Sequence, residues 1–294
     1  MTTNSSSIKQ ITVLGTGAMG SRIATNLLKA DYKVSVFNRD KNKASDLIQS
    51  GAKFFDTPKL AVADADLVIS MLTDDQAAKD VWLDDQSGAM FGMKPDAIAI
   101  ESSTLSIDCI ASLSNTFAEK NIPFLDAPVL GSRPQAEAAA LIFLIGGDKN
   151  ILQKVEPVLK HLSSAVYHLG KNGNGAAMKL AVNAYFSSQV SALSEVINLM
   201  HKSNIDKAQT VELFNQLPTT SPALQGIGQL IANENFQPFF PIHLVEKDLS
   251  YAQDLARQNA VEIPTIAATH ASFQLAIEKG FGEDNIAGLA QLWR

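Results

Sequence analysis

The chain has 294 residues, of which 46% are hydrophobic and 18% charged, and its formal net charge is -6. This length suits two domains, and the composition is that of a globular protein with a sizeable interior. The negative charge argues against nucleic acid and against an anionic membrane as partners, since both would repel the chain.

The first part of the chain, up to about His168, alternates short β-branched runs with helical patterns. The predicted strands are Ile11–Leu14, Val34–Phe37, Leu67–Leu72, Ala97–Ile100, Leu141–Ile145 and Ala165–His168. The predicted helices are Gly20–Ala30, Lys41–Ser50, Thr57–Ala63, Ser106–Glu119 and Asp148–Leu162, with Thr57, Ser106 and Asp148 as N-caps. Strands that alternate with helices predict an α/β domain with a parallel sheet covered on both faces.

Beyond Gly170 the strand signal nearly vanishes. The predicted helices there are Ala176–Lys202, Lys207–Asn215, His243–Gln258 and Pro264–Lys279. We therefore expect an α/β domain over residues 1–169 and an all-helical domain over residues 170–294.

Neither the start of the chain nor its apolar segments are typical of an exported or membrane protein. Residues Met1–Ser7 are polar and lack the basic start and apolar run of a signal peptide, so we expect a loose tail. The most apolar helical segment, residues 176–200, contains charged side chains that would be costly in lipid. We expect a soluble cytoplasmic protein.

Neither cysteine nor metal chemistry is expected. The single cysteine, Cys109, cannot form a disulfide within the chain, and it lies on the apolar side of a predicted helix. Since no flanking pattern of a catalytic cysteine accompanies it, we predict a buried packing residue. The five histidines show no spacing typical of metal ligands, so no metal site is predicted.

A glycine-rich segment follows the first predicted strand and opens the first predicted helix. Its pattern is GxGxxG, and the predicted cofactor-binding residues are Gly15, Gly17, Ala18, Met19 and Gly20. The first two glycines permit a tight turn and the close approach of a pyrophosphate, while Gly20 lets the helix pack closely on the strand. The alternative is an ordinary glycine-rich turn. At the start of a βαβ unit, the pattern favours a Rossmann-type, doubly wound dinucleotide-binding domain.

The end of the second predicted strand bears on which dinucleotide binds. An acidic residue there would bind the ribose hydroxyls of NAD, but this chain has Asn38 and Arg39. A guanidinium can bind a 2′-phosphate bidentately, so the pair predicts NADP(H). Asp40 is a competing acid one residue further on, and Arg39 could also be a solvated surface charge.

Three further motifs, together with the glycine loop, resemble those of the β-hydroxyacid dehydrogenase family. They are Asp126–Ser132 (DAPVLGS), Gly170–Gly175 (GKNGNG) leading to Lys179 and Asn183, and Lys247–Leu249 (KDL). This family includes 3-hydroxyisobutyrate dehydrogenases and glyoxylate/succinic semialdehyde reductases, and the resemblance covers nearly the whole chain. It implies a Rossmann-type domain, an all-α domain for substrate binding and dimerisation, and a homodimer or homotetramer.

Lys179 is the candidate proton donor. Lys179 and Asn183 are four residues apart on one predicted helix face, among small apolar neighbours, where a lysine either extends towards solvent or serves function. Carbonyl reduction needs a proton as well as a hydride, and a lysine ammonium, with an ordinary pKa of about 10.4, is protonated at neutral pH. The resemblance implies that Lys179 is the general acid/base and that Asn183 orients the substrate.

The resemblance implies roles for further residues. It implies cofactor contacts for Thr104 and Lys247, and substrate contacts for Leu130, Gly131, Ser132, Phe240 and Asp248. Four of them have an ordinary structural alternative: a turn after a strand for Thr104, core packing for Phe240, and a solvated helix face for Lys247 and Asp248.

Leu130 departs from the family pattern. The family commonly has a serine at this position, whose hydroxyl would help to hold a substrate carboxylate, and a small polar pair where this chain has Ala139 and Ala140. Leu130 therefore predicts a bulkier or less polar carbonyl substrate than the usual small hydroxyacid or semialdehyde.

The sequence predicts an NADPH-dependent oxidoreductase that reduces a small carbonyl compound. Imine reduction is an alternative because imine reductases share the architecture, although they usually have another residue where Lys179 stands. A non-catalytic dinucleotide-binding protein is the second alternative, and loss of the lysine would mark it.

Overall fold

The computed structural model describes residues 8–294, so the prediction for Met1–Ser7 lies outside the described residues. The chain divides into two compact units, the first ending at Lys179 and the second comprising Leu180–Arg294. The sequence predicts the division after Leu169, ahead of the helix that begins at Asn174. The residues in between stay with the first unit because Ala176 belongs to its apolar core.

The first unit is built on a sheet of nine strands in the described residues. The strands are β1 (Gln10–Leu14), β2 (Lys33–Phe37), β3 (Lys53–Phe54), β4 (Leu67–Ser70), β5 (Ile98–Glu101), β6 (Phe124–Asp126), β7 (Val129–Leu130), β8 (Leu141–Gly147) and β9 (Ser163–His168). Their order is β3-β2-β1-β4-β5-β6-β8-β7, and β9 also pairs with β8. This order, with β1 between β2 and β4, is that of the predicted doubly wound sheet.

The sheet is parallel from β3 to β6 and changes direction at β8. Strand β8 pairs antiparallel with both β6 and β7, whereas β9 pairs parallel with β8. The prediction of a parallel sheet is therefore wrong for this edge. The short connection from β7 to β8 permits an antiparallel pair, since only parallel neighbours need a long crossover.

Helices cover both faces of the sheet, as predicted. They are α1 (Gly20–Lys29), α2 (Ser45–Gln49), α3 (Pro58–Ala61), α4 (Asp75–Leu83), α5 (Ile107–Glu119), α6 (Arg133–Glu137) and α7 (Lys149–Leu159). One apolar core joins the sheet to α1 and α7, and the other joins it to α3, α4 and α5. Strands β4 and β5 are buried along their whole length, which explains why both are uninterrupted apolar runs except for their last residues.

The predicted helix starts are confirmed by side-chain caps. Thr57, Ser106 and Asp148 accept hydrogen bonds from backbone N–H groups in the first turns of α3, α5 and α7. Cys109, in the first turn of α5, is 1% exposed, and burial raises the pKa of its thiol to about 12. It is the packing residue that the sequence indicated.

The second unit is helical in the described residues. Helix α8 (Asn174–Lys202) runs on from the first unit, and α9 (Lys207–Asn215), α10 (Pro222–Ala232), α11 (Ile242–Gln258) and α12 (Pro264–Glu278) follow. A final 3₁₀ segment spans Ile286–Trp293. Among residues 8–294, none of the helices combines the length and apolarity that crossing a bilayer requires. The same residues contain no group of three or more His, Cys, Asp or Glu side chains arranged to hold a metal.

Candidate active site

The glycine loop connects β1 to α1 through a tight turn. Gly15 has a φ of 94°, and its N–H donates to the Phe37 carbonyl at 2.9 Å. A Cβ at Gly20 would overlap the Gly15 carbonyl, whereas a Cβ at Gly17 would meet no heavy atom within 4 Å. The third glycine thus permits close packing and the second leaves open space. Open space beside the first helix turn, which contains no acidic side chain, fits a bound phosphate group.

After β2, Asn38 supports the glycine loop and Arg39 is exposed. The Asn38 Oδ1 atom accepts from the Thr16 N–H at 3.1 Å, so Asn38 holds the glycine loop. Asp40 accepts from the Asn42 N–H at 3.0 Å and caps a short 3₁₀ helix, which gives its carboxylate a structural partner. Arg39 is exposed beside them. This arrangement leaves Arg39 accessible to an anionic group.

Thr104 follows β5 on a segment held by a buried carboxyl group. Glu101, the last residue of β5, is 0% exposed, accepts from the Ser103 N–H at 2.8 Å, and accepts from Trp82 Nε1 at 2.8 Å. Ser103 Oγ in turn accepts from the Leu72 N–H at 2.7 Å, which ties the loop after β4 to the loop after β5. Burial raises the pKa of Glu101, against the hydrogen bonds that lower it.

The predicted substrate loop begins in the short strand β7. Leu130 is half-buried and pairs in register with Ile142, and Gly131 has a φ of 110°. Ser132 is the N-cap of helix α6, and its N–H donates to the Gln135 side chain at 2.9 Å. The Ser132 amide therefore already has a partner within the protein.

Helix α6 ties this loop to the helix that follows the glycine loop. Arg22 of α1 forms an ion pair with Glu137 at 2.6 Å, and the Asn26 side chain donates to the Ala136 carbonyl at 2.7 Å. The Asn26 contact is buried, so it fixes the spacing of the two helices. The predicted cofactor loop and the predicted substrate loop are thus joined through their helices.

Lys179 lies half-buried in the second turn of α8, the helix whose start is bound by Asp126. Asp126 is the last residue of β6 and is 0% exposed. Burial raises the pKa of Asp126, although the N–H groups of Gly173 and Ala176 oppose this by donating to its carboxylate. A buried carboxyl group therefore holds the segment that precedes Lys179.

The second unit contains a compact polar cluster of predicted site residues. Asn183 Nδ2 donates to Asp248 Oδ2 at 2.6 Å, and Lys247 Nζ lies 2.9 Å from Asp248 Oδ1. Lys247 also lies over the Tyr251 ring, 4.7 Å from its centroid. Asp248 is 4% exposed, so it is not a solvated helix face. Its carboxylate orients both Asn183 and Lys247.

The backbone hydrogen bonds of Phe240 go to other residues than those of this cluster. Phe240 is half-buried just before α11, its N–H donates to Asn285 Oδ1 at 3.2 Å, and its carbonyl accepts from the Ile286 N–H at 2.8 Å. Its backbone is thus fixed by the C-terminal segment of the chain. The predicted substrate contact of Phe240 stays a prediction.

The sequence interpretation gave no role to Glu101 or to the carboxylate of Asp126. Each is the only charged residue of its strand, and each stands at the last position, in the segments Ile98–Glu101 and Phe124–Asp126. Ligands of doubly wound sheets bind at this carboxyl edge. An acid that ends an apolar strand is the signal that could have identified both.

Two family models match the chain. The first, described as the NAD binding domain of 6-phosphogluconate dehydrogenase, matches residues 10–170. The second, described as NAD-binding of NADP-dependent 3-hydroxyisobutyrate dehydrogenase, matches residues 173–293. With the glycine loop, these matches define a pyridine-nucleotide-dependent oxidoreductase that acts on hydroxyl or carbonyl groups.

Relatives and solved structures narrow the class. A protein described as an uncharacterized oxidoreductase, YfjR of Bacillus subtilis, is 36% identical over 95% of this chain and 98% of its own length. Glyoxylate/succinic semialdehyde reductase 2 of Arabidopsis thaliana is 33% identical over 95% of this chain and 77% of its own. The structure of Mycobacterium tuberculosis 3-hydroxyisobutyrate dehydrogenase with L-serine superposes with a TM-score of 0.88, at 26% identity, covering 98% of this chain and 99% of that one. The chain belongs to the β-hydroxyacid dehydrogenase family, which confirms the resemblance read from its motifs.

Imine reductases share the fold at a lower similarity. That of Myxococcus stipitatus has a TM-score of 0.64 and 17% identity, covering 97% of this chain and 99% of that one. A likeness at this level concerns the fold and not the reaction.

Proposed function

We propose that this chain is an NADPH-dependent reductase of a small carbonyl compound, with Lys179 as the proton donor. The observations that carry the proposal are the open space at Gly17 and the exposed Arg39, both in the unit that also contains Lys179. In this proposal Gly17 leaves room for the pyrophosphate, Arg39 binds the 2′-phosphate, and Lys179 supplies the proton.

The residues of the first unit fit the dinucleotide. The glycine loop would bind the pyrophosphate, Asn38 would hold that loop in place, and Arg39 would bind the 2′-phosphate. Asp40 caps the short 3₁₀ helix and keeps its negative charge, so the preference for the 2′-phosphate rests on the Arg39 guanidinium. We also propose that Thr104 and Lys247 contact the cofactor, as the resemblance implies.

The reduced nicotinamide, when bound, supplies a hydride to the carbonyl carbon. The Lys179 ammonium donates its proton to the carbonyl oxygen and stabilises the charge that develops there, and the resulting amine regains a proton from solvent. Asn183 orients the substrate with its remaining amide hydrogen and its carbonyl oxygen, while Asp248 fixes the amide plane. The carbonyl compound leaves as the alcohol.

The substrate class follows from the loop after β7. The Arabidopsis relative is named for glyoxylate and succinic semialdehyde, both of which carry a carboxylate. In this chain Leu130 offers no hydroxyl, and the Ser132 amide is engaged by Gln135. We therefore propose a carbonyl substrate that is less dependent on a carboxylate contact in this loop, with Phe240 as its apolar contact.

The proposal is tested by NADPH and NADH consumption with glyoxylate, succinic semialdehyde, longer aldehydes and cyclic imines. We expect turnover with NADPH and an aldehyde or oxo acid, and a higher kcat/KM with longer aldehydes than with glyoxylate. Turnover of the imines alone would make the chain an imine reductase. Cofactor binding without turnover across the panel would favour a non-catalytic binding protein.

We also propose that the chain forms a homodimer or homotetramer through helices of the second unit. Tyr185 and Leu199 on α8 and Leu213 on α9 are large apolar side chains with exposed fractions of 69%, 59% and 57%. Exposed apolar groups on neighbouring elements are typical of a surface that a second copy covers. Light scattering tests this, and a monomer at micromolar concentration would contradict it. The cytoplasmic location stays a prediction.

A further inference from the structure

Asp126 makes two hydrogen bonds to the start of the helix that carries Lys179. Its Oδ1 atom accepts from the Gly173 N–H at 2.8 Å, and its Oδ2 atom accepts from the Ala176 N–H at 2.9 Å. The Asn172 side chain approaches Oδ1 at 3.4 Å. Helix α8 begins at Asn174, so both backbone donors belong to the turn where N–H groups lack partners within the helix.

The protein leaves room for this carboxylate by omitting side chains around it. A Cβ at Gly146 of β8 would overlap the Asp126 carboxylate. A Cβ at Gly175 would overlap the Leu144 carbonyl and lie 2.9 Å from Asp126 Oδ2. The end of β6, strand β8 and the first turn of α8 are thus in direct contact through Asp126.

A fully buried carboxylate is costly unless its partners compensate for lost hydration. Here two aligned N–H groups and the positive end of a helix of 29 residues provide the compensation. An asparagine would match only one of the two donors, since its amide nitrogen would face the other. The site therefore selects a carboxylate by its geometry.

Lys179 follows Ala176 by one helical turn, so the hydrogen bond from the Ala176 N–H to Asp126 fixes the position of the Lys179 backbone. Without it, the first turn can fray, because the end of a helix is its least stable part. We propose that Asp126 is a positioning residue for Lys179, fixing the first turns of α8 against the carboxyl edge of the sheet. This inference rests on the proposed role of Lys179 as proton donor.

The test compares Asp126→Asn with Asp148→Asn. Asp148 also caps a helix in the first unit, accepting from the Asn150 N–H at 2.6 Å, but α7 carries no proposed site residue. Hydrogen exchange of residues 170–182 reports the helix start without reference to activity, and steady-state kinetics report the reaction. For Asp126→Asn we expect faster exchange in this segment, a kcat lowered about tenfold to a hundredfold, and a KM for NADPH within about threefold of wild type.

Asp148→Asn should leave both readouts as in wild type. Normal exchange in Asp126→Asn, or faster exchange with an unchanged kcat, would overturn the inference. Should Asp126→Asn fail to fold, Asn172→Ala decides, although it also removes the Asn172 side-chain contacts to the Phe124 and Gly146 carbonyls. Faster exchange of residues 170–182 together with a smaller loss of kcat supports the inference, and unchanged exchange or an unchanged kcat overturns it. If Lys179→Ala keeps its activity, the proposed function fails, whatever the exchange of residues 170–182 shows.

Discussion

The glycine loop offers two substitutions that separate cofactor binding from folding. Gly17 does not have a positive φ, and a Cβ there meets nothing within 4 Å, so alanine fits the protein without its cofactor. Such a change stabilises a protein by about 0.4–1 kcal/mol, because it restricts the unfolded chain. The methyl group would occupy the space into which a pyrophosphate must come. We expect Gly17→Ala to keep or raise Tm and to weaken NADPH binding at least about tenfold, ~1.4 kcal/mol.

Gly20→Ala, in contrast, should lower Tm. Its Cβ would overlap the Gly15 carbonyl and lie 3.4 Å from Met71 Cβ, so the helix must move away from the strand. Overpacking of this kind costs about 1–3 kcal/mol. For a chain of this size each kcal/mol lowers Tm by about 2–4 °C.

The assay is thermal unfolding without cofactor, followed by NADPH titration monitored by fluorescence. Gly226→Ala is the matched control, because Gly226 lies inside α10 and an added Cβ there also meets nothing within 4 Å. It should raise Tm and leave NADPH affinity unchanged. A Gly17→Ala variant that binds NADPH as wild type does would refute the placement of the pyrophosphate on this loop.

Three further outcomes follow from the site. Arg39→Ala should lower the kcat/KM preference for NADPH over NADH about tenfold, as one lost charge-assisted bond implies, while the exposed Lys149→Ala leaves it unchanged; equal preferences in both variants would remove Arg39 from the specificity. Leu130→Ser should raise kcat/KM for glyoxylate up to about tenfold and lower it for apolar aldehydes, whereas equal losses on both would make Leu130 a packing residue. Because burial raises the pKa of Glu101, its contribution to stability is complete below the unfolded value and is lost as pH rises through the raised pKa. Glu101→Gln should therefore gain stability relative to wild type as pH rises, measured by denaturant unfolding at several pH values, and a difference independent of pH would show that Glu101 does not titrate this way.

Local patterns predicted the elements that have enough residues to show a period. Helix α9 has its predicted bounds, and α1, α5 and α11 differ from theirs by a residue at an end. Strands β3 and β7 have two residues each and no period at all. Helix α10 contains Gly226 and Gly228. Glycine is a poor helix former, so the sequence of this segment does not indicate a helix.

The candidate site shows the same division between local and distant information. The glycine loop is a contiguous motif, and the structure shows the tight turn at Gly15 and the close packing at Gly20 that the sequence indicated. The contacts of Asp126 join residues 47 and 50 positions apart, and those of Glu101 reach Trp82 across 19 positions. No periodicity signals such pairs, because they depend on which strands become neighbours in the sheet. The division into compact units falls inside α8, where the helical pattern of the sequence runs through Lys179 without a break.

The central claim is that Lys179 donates the proton in a carbonyl reduction driven by NADPH. Its most direct test is single-turnover NADPH oxidation by Lys179→Ala, preloaded with NADPH and mixed with the best aldehyde or oxo acid of the substrate panel. Lys202→Ala, at the exposed far end of the same helix, is the matched control. We predict that Lys179→Ala binds NADPH within about threefold of wild type and reacts about 10²–10⁴-fold more slowly, the range for a lost general acid, while Lys202→Ala reacts normally. A Lys179→Ala variant that turns over within a few-fold of wild type would contradict the claim.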